Sequence, residues 1–184
     1  MFLGEINEPW LINNAESFCG VTFFLVILHS VMNEISVNPT YLSKAERFCA
    51  KGEQCEYAVR EKLRTWGASD EESDAVVERL KALDFLNERR FVEIYCRSKV
   101  RQQRWGRRKI QYQLRMKRIP DVLIREGMSA VADEDYFAAL QSVAESKWRT
   151  CNPADSRSKY KLTAFLQSRG FELDEIKSVI EKLF

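Results

Sequence analysis

The sequence predicts an all-α protein made of three tandem three-helix repeats that stack into an elongated, curved body. Two observations lead to this fold. Apolar residues recur at helical spacing and none of the chain alternates like a half-buried strand, while only seven Gly and four Pro interrupt its 184 residues. In addition, three segments superimpose at nearly constant offsets, which is typical of repeat architectures.

The repeat is visible as two apolar residues four apart, followed four residues later by a turn position. Successive copies are offset by 51 and then 52 residues, and apolar residues follow each copy ten and thirteen positions after its end. The copies are Val59, Leu63 and Gly67; Ile110, Leu114 and Arg118; and Leu162, Leu166 and Gly170. One further helix precedes each copy, so we predict three-helix units at 38–86, 87–132 and 133–184.

Local signals place the helices of the first unit. Asn38 before a proline predicts a capped helix that ends before Gly52. A second helix ends at Gly67, and Ser69 with Glu72 predicts a capping box at the start of the third helix.

The second and third units follow the same logic. Asn87 is predicted to cap a helix, and two basic helices meet at Gly106. Short helices begin at Ile119-Pro120 and at Asp133, and a loop at 151–155 precedes the last two helices.

Arg118 occupies the turn position at which the other two repeats have glycine. A left-handed turn is costly for a residue that carries a side chain, and Pro120 follows two residues later. We therefore expect this turn to take another form and Arg118 to be present for its charge.

Positive charge is concentrated between Arg97 and Arg118, a stretch with ten Lys or Arg and no acid. The whole chain carries +2, so the remaining residues carry −8. Such a concentration attracts polyanions such as nucleic-acid phosphates, with a merely solvated basic face as the alternative. The candidate binding residues are Arg97, Lys99, Arg101, Arg104, Arg107, Arg108, Lys109, Arg115, Lys117 and Arg118.

Apolar stripes on the two basic helices predict that both are docked on the core and jointly present a basic ridge. The stripes are Phe91, Ile94, Tyr95 and Ser98 in the first helix, and Ile110 and Leu114 in the second. Trp105 is interpreted as a core residue that locks the turn at Gly106, with stacking on an unpaired base as the alternative.

Catalysis, a metal site and a cofactor are not expected. The single histidine, His29, lies in an apolar run, and no glycine-rich nucleotide-binding loop is present. Glu71, Glu72 and Asp74 could be metal ligands, but capping and the helix dipole explain them with fewer assumptions.

The five cysteines are scattered and never spaced C-x-x-C, which argues against a disulfide framework or zinc and favours small buried residues in a reducing cytoplasm. They are Cys19, Cys49, Cys55, Cys96 and Cys151.

Residues 18–28 form an apolar run too short for a membrane span of about 20 residues. Acidic rather than basic residues precede it, unlike a secretory signal. We expect translation to begin at Met32, so that residues 1–31 do not belong to the native protein; a loosely packed appendage is the alternative.

Three motifs resemble the RecX family of bacterial regulatory proteins. They are the run Leu83-Asp84-Phe85-Leu86-Asn87-Glu88-Arg89-Arg90-Phe91, the run Trp105-Gly106-Arg107-Arg108-Lys109-Ile110 with Leu114, and the run Leu166-Gln167-Ser168-Arg169-Gly170-Phe171 with Ile176. The resemblance covers roughly residues 41–184. Residues 52–57 and Arg118 depart from the family pattern, and residues 1–31 have no counterpart in it.

The resemblance implies tandem three-helix repeats and a protein that lies in the groove of the RecA–DNA filament. There it would restrain ATP hydrolysis and strand exchange. The expected partners are the RecA filament and the phosphate backbone of single-stranded DNA, contacted by a cytoplasmic monomer without membrane association. The alternative is a nucleic-acid-binding repeat protein without a recombinase partner. We expect that reversing Arg107 and Arg108 to Glu leaves the fold intact and abolishes filament binding.

Overall fold

The computed structural model describes residues 37–152 and 155–183, and within these ranges the chain forms helices and no strands. The prediction of an all-α fold is confirmed. The helices are α1 (Pro39–Cys49), α2 (Glu56–Thr65), α3 (Asp70–Ala82), α4 (Glu88–Arg101), α5 (Arg107–Met116), α6 (Asp121–Ser129), α7 (Asp133–Trp148), α8 (Ser158–Ser168) and α9 (Leu173–Leu183). The predictions for residues 1–31, including a start at Met32, lie outside the described residues.

The predicted helix caps are present. The Asn38 side chain accepts a hydrogen bond from the Thr40 amide at 3.1 Å, with proline at the first helical position. Ser69 and Glu72 form a reciprocal capping box, with distances of 3.2 Å and 3.0 Å between side chain and backbone. Asn87 caps α4 in the same way as Asn38 caps α1. Each cap satisfies backbone donors that a helix start leaves unpaired.

The helices pack in three consecutive groups, which we call the first repeat (α1–α3), the second repeat (α4–α6) and the third repeat (α7–α9). In the first repeat α1 and α2 both pack on α3, and in the second α4 lies along α6 with α5 beside them. In the third repeat all three helices contact one another. The tandem repeat inferred from the sequence offsets is therefore confirmed as three-helix packing.

The sequence analysis predicted that the turn at Arg118 would not be left-handed, and this prediction is wrong. Its φ is +60°, in the same left-handed region as Gly67 at +90° and Gly170 at +91°. The closing hydrogen bond also matches, because Ile119 N donates to Leu114 O at 3.2 Å, as Phe171 N does to Leu166 O at 3.3 Å. The turn thus keeps the hydrogen bond and the left-handed conformation of the other repeats, although this conformation costs an arginine about 1–2 kcal/mol.

The hydrophobic core is shared unequally among the repeats. One continuous cluster of buried residues joins the second and third repeats, and it includes Ile110, Leu114, Leu140 and Leu166. From the first repeat only Cys55 belongs to this cluster among the buried residues described. The other buried apolar residues described in the first repeat lie outside this cluster; they are Ala45, Cys49, Val59, Leu63, Val76, Val77, Leu80 and Leu86.

The second and third repeats approach so closely that their backbones bond directly. Gly106 N donates to Arg169 O at 2.9 Å, and Arg108 N donates to Gly170 O at 3.0 Å. A Cβ at Gly106 would lie 2.2 Å from the Gly170 backbone, and one at Gly170 would lie 2.5 Å from Lys109 N. Both positions therefore require glycine, since real Cβ atoms do not approach other atoms this closely.

The cysteines in the described residues are all free, and Cys49, Cys55 and Cys96 are buried as small apolar residues. Burial raises the pKa of the Cys96 thiol to about 12, which makes it an inert packing group. Cys19 lies outside the described residues.

Candidate nucleic-acid interface

The basic segment Arg97–Arg118 extends from the last turn of α4 through α5 to the turn that follows it. In α5 the predicted stripe is correct, because Ile110 and Leu114 are both fully buried. In α4 the predicted stripe is wrong in part. The structure buries Phe91 together with Val92, Cys96 and Val100, while Ile94 is 49% exposed. The buried face is rotated because α4 packs against both α6 and α7.

Four of the ten candidate cations have acidic partners among the described residues. Arg101 donates two hydrogen bonds to Asp135, at 3.1 Å and 2.7 Å, and Arg115 pairs with Asp121 at 2.9 Å. Arg97 lies 4.0 Å from Glu93 and donates to the Ala130 carbonyl at 3.2 Å; the fourth, Arg107, is described below. These acids come from outside the segment, so the segment's net charge is partly neutralised by the fold.

Arg107 is built into the contact between the second and third repeats. Its guanidinium pairs with Asp133 at 2.8 Å and with Glu175, whose side chain is only 14% exposed. It also lies 3.9 Å from the ring centre of Tyr136, whose hydroxyl donates to Glu175 at 2.7 Å. Burial and the neighbouring Glu175 carboxylate raise the pKa of Tyr136, so the phenol stays protonated as a donor.

The expectation that reversing Arg107 and Arg108 leaves the fold intact is at odds with this geometry. A carboxylate at position 107 would face Asp133 and Glu175 with no cation between them. Arg108 is different, because its side chain is exposed and has no ion-pair partner among the described residues. Of these two arginines, only Arg108 is suited to a charge-reversal test of binding.

Three further cations lie over aromatic rings. The Lys99 and Lys109 ammonium groups are 5.0 Å and 4.5 Å from the Trp105 ring centre, and the Arg118 guanidinium is 5.4 Å from that of Tyr57. Trp105 is half-buried against the core cluster, in agreement with its interpretation as a packing residue. Lys99 and Lys109 are half-buried and Arg118 is exposed. A cation–π contact at an exposed site contributes about 0.5–1 kcal/mol, so the contact with Tyr57 holds Arg118 only loosely.

The remaining candidates are Arg104, Arg108 and Lys117. Within residues 37–152 and 155–183 their side chains have no hydrogen-bond or ion-pair partner. Arg104 and Arg108 are exposed and Lys117 is half-buried. These three cations can meet an external phosphate without first breaking a contact to a carboxylate.

Tyr112 is a candidate that the sequence reasoning missed. It is 59% exposed on α5, one turn after Arg108 and one turn before Met116, which is 60% exposed. An exposed aromatic ring next to an unpaired arginine is the combination that stacks on unpaired bases. The sequence could have indicated this exposure. Tyr112 lies two residues from both Ile110 and Leu114, and in a helix that spacing places it on the face opposite to the buried one.

The acidic candidates for metal binding serve the fold instead. Glu72 completes the capping box and accepts a hydrogen bond from Asn38 at 3.0 Å, and Asp74 pairs with Arg60 at 2.6 Å. Across the described part of the chain, no group of three or more His, Cys, Asp or Glu is placed to hold a metal ion. No helix in these same ranges is long and apolar enough to cross a membrane.

Together these features define a class, an α-helical repeat protein whose middle repeat presents a basic surface. Comparison with known families makes the assignment specific. Residues 87–128 match the second three-helix domain of RecX, and residues 133–180 match the third. The chain belongs to the RecX family, as the sequence motifs predicted.

Individual relatives support the same assignment. The chain is 31% identical over 147 residues to the regulatory protein RecX of Clostridium acetobutylicum, which covers 77% of this chain and 68% of that protein. It is 30% identical over 142 residues to the regulatory protein RecX of Prosthecochloris aestuarii, covering 77% and 92%. These relatives are named regulatory proteins rather than enzymes, in agreement with the prediction that this chain is not an enzyme.

The fold is shared with solved structures. A crystal structure of RecX from Lactobacillus salivarius superimposes with a TM-score of 0.70 at 21% identity, covering 78% of this chain and 94% of that one. Tandem three-helix packing is thus retained even where few side chains are the same.

Proposed function

We propose that this protein binds the RecA–single-stranded DNA filament through its basic segment and modulates RecA activity, with inhibition as the expected direction. Membership of the RecX family supports a regulatory role, and the resemblance of the sequence implies RecA as the target. The acidic remainder of the surface is proposed to contact the protein subunits. The role falls in DNA recombination and repair, and the free cysteines suit a reducing cytoplasm.

One observation carries the DNA part of this proposal: among the described residues the side chains of Arg104, Arg108 and Lys117 have no hydrogen-bond, ion-pair or aromatic-ring partner. Binding of a phosphate by such a group releases counterions from the nucleic acid and breaks no intramolecular ion pair. The partnered cations Arg101 and Arg115 must give up Asp135 and Asp121 first. Arg104, Arg108 and Lys117 are therefore expected to contribute most of the affinity, with Tyr112 available to stack on a base.

The test is the DNA-dependent ATP hydrolysis of the cognate RecA on single-stranded DNA, titrated with the full chain. We expect hydrolysis to fall at protein concentrations well below that of RecA. The Arg108→Glu variant should require about tenfold more protein, because it places a negative charge against phosphate.

Lys177→Glu is the matched control, since it makes the same charge change on the exposed face of α9. It should inhibit like the wild type. Unchanged hydrolysis under conditions in which the protein coats bare DNA would contradict RecA modulation. That result would favour a nucleic-acid-binding repeat protein without a recombinase partner.

A further inference from the structure

A groove of about 670 Å³ lies where the second repeat meets the third. One wall is the turn after α4, residues 102–105, and the other is formed by the C-terminal half of α7 with α8. Its volume lies within the range of about 300–1,000 Å³ that is usual for ligand pockets. Most of this groove is outside the basic segment Arg97–Arg118.

The described residues that line the groove include three cations and no acid. The cations are Arg104 from the second repeat and Lys147 and Arg169 from the third. In the described residues none of them forms an ion pair with a carboxylate, in contrast to Arg101 and Arg107 nearby. Converging charges of one sign, held on two packed repeats, produce a positive potential that attracts anions.

Aromatic rings lie beside these charges. The Lys147 ammonium is 5.3 Å and the Arg169 guanidinium 5.5 Å from the ring centre of Phe165, and Trp105 lines the same groove. Both rings are half-buried, so each keeps a surface in contact with solvent. Cations alternating with aromatic rings are the features that bind phosphates and stack bases of unpaired strands.

The backbone of Arg104 adds an independent observation. Its φ is +51°, in the left-handed region, where a residue with a side chain costs about 1–2 kcal/mol relative to glycine. The turn itself is closed by backbone bonds, Arg104 N to Val100 O at 3.1 Å and Trp105 N to Lys99 O at 3.1 Å, which glycine would form equally well. Among the described residues the Arg104 side chain forms no hydrogen bond, ion pair or aromatic-ring contact, so its strained backbone points to a role outside the fold.

We propose that this groove binds single-stranded nucleic acid, with phosphodiester groups between Arg104, Lys147 and Arg169 and a base against Phe165 or Trp105. The inference rests on the proposed function, since it takes the same DNA as its ligand. It extends the binding surface from the second repeat onto the third. The bound strand would therefore cross the contact between these repeats.

The experiment measures binding of a fluorescently labelled oligothymidylate to the full chain at low salt by fluorescence anisotropy. Lys147→Glu should weaken binding about tenfold, because it reverses a charge inside the groove. Lys147→Gln should lower the slope of log affinity against log salt by about 0.7, the value for one lost contact to a single strand. Lys177→Glu, the control on α9, should leave both quantities unchanged.

Arg104→Gly separates binding from folding. Relief of the left-handed backbone strain at position 104 should raise the melting temperature, while loss of the cation should weaken oligonucleotide binding several-fold. Arg104→Lys keeps the charge and the backbone strain, so it should retain most of the affinity. If Arg104 had a purely structural role, Arg104→Gly would lower the melting temperature and weaken binding together.

The outcomes distinguish this proposal from the proposed function. Equal affinity of Lys147→Glu and Lys177→Glu would overturn the groove as a DNA site, while RecA inhibition lost only in Arg108→Glu would leave the proposed function intact. If Lys147→Glu weakened binding to the RecA filament but not to the free oligonucleotide, the groove would not be a nucleic-acid site. That result would indicate that it binds an acidic protein segment instead. A chain that neither binds the oligonucleotide nor inhibits RecA would refute both.

Discussion

The two contacts between successive repeats occupy equivalent positions but are built differently. We call them the first junction, between the first and second repeats, and the second junction, between the second and third. In the repeat alignment Cys55 corresponds to Gly106, and Arg118 to Gly170. At the second junction Gly106 and Gly170 allow backbone hydrogen bonds to form. At the first junction the equivalent bonds are not formed between the described residues.

Side chains make the first junction instead. Arg90 pairs with Glu53 at 2.7 Å, the Arg118 guanidinium lies over Tyr57, and Cys55 inserts into the core of the second repeat. A cleft of about 220 Å³ remains between them. The second junction also has a groove, but a continuous apolar core joins its two repeats. We therefore expect the second and third repeats to unfold as one unit and the first repeat to open separately.

The difference explains why Arg118 is compatible with a position that is glycine elsewhere. The left-handed backbone alone costs a residue with a side chain about 1–2 kcal/mol, which a fold can absorb. Glycine becomes obligatory only where another backbone approaches, as Lys109 N approaches Gly170.

The largest expected effect is that of Gly170→Ala. It should destabilise the protein by about 2–5 kcal/mol, because the left-handed cost of about 1–2 kcal/mol adds to an overpacking cost of about 1–3 kcal/mol against Lys109. Gly67→Ala is the matched control, with φ of +90° and no atom nearer than 3.9 Å to the added Cβ, and should cost only about 1–2 kcal/mol. Urea unfolding measures both. Equal costs would show that close approach does not distinguish the second junction.

Arg107→Gln should cost about 2 kcal/mol, since it leaves Glu175 and Tyr136 without their cation at a site where Glu175 is 14% exposed. Arg101→Gln, which removes a pair whose arginine is 65% exposed, should cost about 0.5 kcal/mol or less. A double-mutant cycle with Glu175→Gln isolates the coupling energy. A coupling near zero would contradict a structural role for Arg107.

Arg118→Gly should stabilise the protein by about 1 kcal/mol, because relief of the left-handed strain exceeds the loss of the exposed cation–π contact with Tyr57. Thermal unfolding of the variant, compared with Arg118→Lys, measures this. Destabilisation by Arg118→Gly would mean that the Tyr57 contact is the stronger term and that the first junction depends on it.

The smallest effect concerns Glu88, which lines the cleft of the first junction. Burial, and then the nearby Glu56 carboxylate, raises the pKa of Glu88 above its ordinary value. Its ionisation therefore destabilises the fold, and this penalty is absent below the unfolded-state pKa and develops as pH rises through the folded-state pKa. Glu88→Gln should be stabilising at neutral pH, and the gain should vanish in acid. Glu181→Gln, at an exposed site on α9, should show no such dependence.

Sequence patterns were sufficient for the features that depend on neighbouring residues. Helix starts at Asn38, Ser69 and Asn87 follow from side chains that bond to amides two or three residues away. The buried face of α5 follows from the spacing of Ile110 and Leu114, and the repeat from its constant offset. The RecX motifs lie within these same local runs, so the family could also be predicted.

Tertiary structure decided which cations are available to a ligand. Arg101 and Arg107 are paired with acids 34, 26 and 68 residues away, and no local pattern distinguishes them from Arg104 or Arg108. The same holds for the groove that brings Lys147 and Arg169 beside Arg104, and for the close approach of Gly106 and Gly170. Local hydrogen bonds and periodicity act along one helix, whereas ion pairing and close packing depend on how separate repeats meet.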